Sequence, residues 1–81
     1  MNQPEIRDTI AKILRTIAPE ANLDQIGPDE NLREAVDIDS FDFLNLLIGL
    51  HKELKVEIPE SDYPKLSTLA DLMNYLSERM H

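Results

Sequence analysis

Between Phe41 and Leu54 apolar residues recur at helical spacing, and just ahead of them stands Asp37-Ile38-Asp39-Ser40. This junction constrains the fold more than any other stretch. Asp39 is a good N-cap, and Asp42, three residues on, is placed to reach back as in a capping box. With Asp39 capping, Ser40 becomes the first helical residue and its hydroxyl is spared. A hydroxyl there lies beside unpaired N–H groups at the positive end of the helix dipole. Such a position suits a phosphate attached to Ser40.

The helix predicted over 40–54 has two apolar faces. Phe43, Leu47, Leu50 and Leu54 lie together with Leu46 beside them, while Phe41, Leu44 and Ile48 lie on the roughly opposite side. A small bundle closes its core with one stripe per helix. The second stripe therefore packs under a neighbouring loop or faces a partner, and for Phe41, next to the serine, the partner reading is favoured. Gly49 sits on the edge of that stripe, where it costs about 1 kcal/mol relative to alanine. Its missing side chain either lets a partner's backbone approach or is a chance substitution.

The rest of the chain reads as two further helices and their connections. Residues 4–18 place Ile6, Ile10, Ile13, Leu14 and Ile17 on one face, with Pro4 at a first-turn position and Pro19 as terminator. Residues 19–38 show no sustained period. A loop that long is unusual in so small a domain unless it serves function. Leu23, Ile26, Leu32, Val36 and Ile38 are expected to pin it, with a short helical turn near Asp29–Ala35. Residues 55–59 read as extended, and Pro59 opens a brief turn through Tyr63 that Pro64 terminates. Ser67 or Thr68 caps the last helix, and Asp71 completes a capping box if Thr68 is the cap. Leu69, Met73, Leu76 and Met80 form its expected core stripe, flanked by Leu72 and Tyr75.

Eighty-one residues with 42% apolar content support one domain, near the lower limit for a self-sufficient core. There is no cysteine, so disulfides and thiolate metal sites are excluded. No apolar run reaches membrane-spanning length, and a soluble cytoplasmic protein is expected. The net charge of −8 is unevenly placed: residues 20–42 hold eight acids against the single cation Arg33. That field repels nucleic acid and anionic membranes and steers basic protein surfaces toward the serine end. The plainer reading is a solvated acidic loop that maintains solubility.

Autonomous chemistry finds little support. A nucleophilic Ser40 needs a base within hydrogen-bond reach, yet His51 lies eleven residues along the same helix, roughly 16 Å away. No glycine-rich elbow surrounds the serine. A calcium loop begun at Asp37 would need an oxygen ligand, a glycine and a glutamate where the chain offers Phe41, Asp42 and Ile48. What remains is an accessible serine without machinery of its own.

Asp39-Ser40-Phe41 closely resembles the Asp-Ser-Leu motif of acyl carrier proteins, and Glu57-Ile58-Pro59 is similar to the family's later Ile-Pro step. The resemblance covers nearly the whole chain. It implies a small all-α, up-down four-helix bundle with a long first loop and a short third helix, residues 1–81 forming a single carrier domain. It implies 4′-phosphopantetheine on Ser40, flanked by Asp39, with acyl groups held as thioesters in lipid metabolism or fatty acid biosynthesis. The protein is then no enzyme. Its implied partners are a phosphopantetheinyl transferase and acyl-loading, acyl-transferring or condensing enzymes, with no nucleic acid, no membrane insertion and a monomeric state. The partner face would comprise Asp37, Phe41, Leu44, Asn45, Ile48, Gly49 and Lys52. Phe43, Leu46 and Leu50 either line an acyl cavity or, the favoured reading, pack the core.

The chain departs from the family in particular places. Carriers of fatty-acid synthases usually have leucine where Phe41 stands and glycine where Asp37 stands. Aspartate tolerates unusual backbone angles better than most residues, so the turn can survive. Positions commonly acidic in those carriers are Asn45, His51 and Lys52 here. A specialised, free-standing carrier for a dedicated pathway follows as the expectation. A peptidyl or D-alanyl carrier, and an unmodified helical interaction module, are the alternatives.

Overall fold

The structure, a computed structural model, describes residues 3–79. Four α-helices follow in order: α1 (Gln3–Ile17), α2 (Leu32–Ala35), α3 (Ser40–Leu54) and α4 (Leu69–Arg79). Two 3-10 segments, Leu23–Gln25 and Glu60–Lys65, lie in the connections, and the second occupies the place of the expected short third helix. The fold is all-helical. Its one β-type pairing among the described residues is an isolated antiparallel bridge between Asn31 and Thr68.

The apolar stripes close one core. Helix α1 supplies Ile6, Ile10 and Leu14 and packs against both α3 and α4. Helix α3 supplies Phe43, Leu46, Leu47 and Leu50, and α4 supplies Leu69, Leu72 and Leu76. Leu46 and Leu50 are fully buried, as core packing requires. The stripe on α4 corrects the sequence expectation. Leu72 is fully buried and Met73 only half-buried, because Leu69, Leu72 and Leu76 satisfy helical spacing as well as the methionine stripe does. Met80 lies outside the described residues.

The long connection between α1 and α3 is held at several points. Leu23, Ile26 and Leu32 are buried, and Val36 and Ile38 pack half-buried against the core. The Asn31 side chain caps α2, accepting from the Glu34 N–H (3.1 Å). Two backbone bonds sew this loop to the start of α4: the Leu32 N–H donates to the Ser67 carbonyl (2.8 Å) and the Ala70 N–H to the Pro28 carbonyl (3.0 Å). Thr68 is the cap of α4, its Oγ1 accepting from the Asp71 N–H (3.0 Å).

Beyond α3 the chain turns at Lys55, whose backbone is left-handed (φ 57, ψ 35). His51 Nδ1 lies 2.7 Å from the Val56 carbonyl oxygen just past that turn, the geometry of a ring N–H donating to it. Val56 and Ile58 then alternate into the core, as an extended segment allows. Pro64 does not end the segment that follows, which runs on to Lys65. The Leu66 N–H closes on the Tyr63 carbonyl (3.0 Å), a bond that spans Pro64 without needing its missing N–H.

Candidate functional site

The start of α3 is built as its sequence demands. Asp39 holds an extended backbone, and its Oδ1 accepts from the Asp42 N–H at 2.8 Å. The Asp39 carbonyl accepts the first helical bond from the Phe43 N–H (3.0 Å). The reciprocal bond expected from the Asp42 carboxylate is not formed; aspartate is one methylene shorter than the glutamate of a capping box. Ser40 is exposed, and its hydroxyl engages no other described residue. Behind it Asp37 takes a left-handed backbone (φ 54), so aspartate does occupy the unusual conformation considered for it. The Ile38 N–H donates to the Arg33 carbonyl (3.0 Å), closing the turn around Asp37.

Two grooves meet at Ser40. One, of about 360 Å³, runs between α2 and the second 3-10 segment and is lined by Asn31, Arg33, Phe43, Leu44, Tyr63 and Ser67, among others. The other, more open, adds Phe41 and Glu60 around the shared Leu44, Tyr63 and Pro64. A third groove begins on the far side of Tyr63, between Leu47, Ile48 and the Glu57–Pro59 stretch. Leu46 and Leu50 border none of these.

Of the residues expected to face a partner, Phe41 is 67% exposed and Ile48 38%, large values for apolar side chains. Asp37, Asn45 and Lys52 are exposed too, and Leu44 is half-buried at the groove edge. Gly49 needs correction. A β-carbon built there would stand 2.9 Å from Ile13 Cγ2, so the missing side chain accommodates α1 of the same chain and not a partner. His51 is spent on the Val56 carbonyl at the end of α3.

Arg33, Tyr63 and Ser67 were not singled out by sequence reasoning as neighbours of the serine. For Arg33 a signal existed, since it is the sole cation in the acidic stretch 20–42. For Tyr63 and Ser67 none did, because only the packing of the 3-10 segment brings them there.

Among the described residues no group of three or more histidine, aspartate or glutamate side chains could hold a metal ion. An exposed hydroxyl at a capped helix start, with no hydrogen-bond partner among the described residues, fits a phosphate-linked prosthetic group.

The chain is similar to known proteins along nearly its whole length. A family model described as the phosphopantetheine attachment site matches residues 4–76. The chain is 29% identical to the acyl carrier protein of Thermosynechococcus vestitus, over 99% of this chain and 98% of that one. It is 30% identical to that of Chlorobium luteolum, over 98% and 100% of the two chains. With the acyl carrier protein of Campylobacter fetus subsp. fetus the identity is 31%, over 89% and 87%. Such proteins bear a covalent 4′-phosphopantetheine and are carriers, not catalysts. An all-helical fold, a capped and exposed serine, and matches along nearly the whole chain together place this protein in the acyl carrier protein family.

Proposed function

We propose that the chain is a free-standing, monomeric carrier of one domain, that Ser40 Oγ bears the 4′-phosphopantetheine, and that it works in the cytoplasm. The observation that carries this reading is the exposed Ser40 hydroxyl at the start of α3, left unengaged because Asp39 does the capping. The attached group supplies a terminal thiol that holds an acyl group as a thioester. Asp39 keeps the first turn of α3 wound, so its amides stay oriented beside the phosphate. Tethering gives one acyl group a high effective concentration at several active sites in turn. No helix among the described residues is long and apolar enough to cross a membrane.

Incubation with coenzyme A and a broad phosphopantetheinyl transferase, read by mass spectrometry, tests the assignment. The chain gains one prosthetic group, and Ser40→Ala gains none while melting like the parent. A chain that gains nothing is an unmodified interaction module, and the reading fails.

The face of α3 that carries Phe41, Leu44, Asn45, Ile48 and Lys52 serves as the dock for the transferase and for enzymes that load, transfer or condense acyl groups. Asp37, at the turn before the serine, flanks it. This face is apolar and lacks acids along its middle, which favours a dedicated pathway over general fatty-acid elongation. Asn45→Glu with Lys52→Glu leaves the helix-end bond of His51 intact and improves loading by generic fatty-acid-synthase enzymes. Unchanged loading rates remove the support for a dedicated pathway.

A further inference from the structure

We propose that Arg33 is a positioning residue for the prosthetic group: its guanidinium pairs with the phosphodiester on Ser40 and turns the root of the arm over the groove between α2 and the second 3-10 segment. This rests on the assignment of Ser40 as the attachment site.

Charge states the problem. The attached phosphodiester adds one negative charge to a stretch, 20–42, that already holds eight acids. Asp37, Asp39 and Asp42 stand within three residues of the serine. The helix dipole offsets part of that repulsion, but only over the first turn. Arg33 is the one cation of the stretch, and it lines the groove that Ser40 lines. Its backbone is fixed relative to the serine, because the Arg33 carbonyl accepts from the Ile38 N–H at the turn leading into α3. The ion pairs among the described residues are Arg7–Asp24, Lys12–Glu53, Lys65–Asp62 and Arg79–Asp62. Arg33 belongs to none of them, although Glu30, Glu34 and Asp37 lie close in sequence. Its guanidinium is therefore available, and its planar fork suits a phosphate's two free oxygens.

The pairing has a directional consequence. A phosphodiester drawn toward Arg33 starts the arm between Asn31, Leu44, Tyr63 and Ser67. Phe41 and Ile48 then stay uncovered for a docking enzyme.

The test uses apo and holo forms of the parent, Arg33→Gln and Arg33→Lys, with mass spectrometry first establishing one prosthetic group on each. A parent that gains no group refutes the attachment assignment itself, which separates that failure from failure of the pairing. The ³¹P shift of the phosphodiester is then followed from low to high sodium chloride, and melting temperatures are compared between holo and apo forms of each variant. In the parent the ³¹P resonance moves with salt and the holo form melts above the apo form. In Arg33→Gln the low-salt resonance already lies at the parent's high-salt position and the holo increment is lost; Arg33→Lys keeps part of both. Comparing holo with apo within each variant removes any effect of the substitution on folding. If Arg33→Gln matches the parent in ³¹P shift at low salt and in holo increment, Arg33 does not hold the phosphate.

Discussion

Two non-glycine residues among those described take left-handed backbone angles, Asp37 (φ 54) and Lys55 (φ 57), and they stand on either side of α3. The β-carbon of an L-residue approaches the following carbonyl in that region, at roughly 1–2 kcal/mol, and aspartate suffers less than lysine. Lys55→Gly relieves the clash but frees the unfolded chain, leaving a net stabilisation of about 1 kcal/mol. Urea denaturation checks this: the midpoint rises with the slope unchanged, and an unchanged midpoint contradicts it. Asp37 was legible in the sequence because it occupies a place where carriers of this family have glycine. Lys55 was not, because nothing local marks it. The turn there is imposed from outside, by the burial of Val56 and Ile58 and by the bond of His51 to the Val56 carbonyl.

Helix periodicity gives the angle at which a side chain leaves its axis, but not the neighbour it meets. The stripes of α1 and α3 were accordingly readable, and so was the exposure of Phe41 and Ile48. Gly49 was misread as an approach for a partner because its direction was known and its neighbour was not. The contact with Ile13 makes a prediction. Gly49→Ala gains up to about 1 kcal/mol of helix propensity. It also drives a methyl group against a β-branched, rotamer-locked side chain, an overpacking that costs roughly 1–3 kcal/mol. The net is a loss of about 1 kcal/mol, and in an Ile13→Ala background the same change becomes neutral or stabilising. A double-mutant cycle in urea measures the coupling; equal effects in both backgrounds would show that α1 does not press on this position. Leu72 and Met73 teach the same point, since two stripes of equal periodicity competed and the packing of α1 against α4 chose between them.

At the scale of the molecule, contacts distant in sequence hold the serine's surroundings in place. Asp62 of the second 3-10 segment accepts from the Tyr75 hydroxyl (2.7 Å) on α4, with Arg79 at 3.4 Å and Lys65 at 3.6 Å. The Arg79 guanidinium also stacks over the Tyr75 ring, 4.2 Å from its centroid. The donated tyrosine hydroxyl, chiefly, holds the Asp62 carboxyl below the usual carboxylate range; partial burial opposes it, and Lys65 and Arg79 add to the lowering. Burial, then the bond to Asp62, raises the Tyr75 hydroxyl. A carboxylate whose folded value is depressed stabilises the fold above its unfolded value, and that contribution disappears as pH falls through the folded one. The parent therefore melts above Asp62→Asn at neutral pH, and the gap closes as the buffer is taken below the ordinary carboxylate range. Thermal melts across that range are the check, and a gap independent of pH would mean that the charge of Asp62 plays no part. None of this cluster was evident beforehand, because Asp62 and Tyr75 lie thirteen residues apart and carry no shared motif.

The backbone bonds from Leu32 to Ser67 and from Ala70 to Pro28 tie the serine's platform to the start of α4. A local opening that lifts α4 away therefore also frees the loop ahead of Ser40, and the two loosen as one unit.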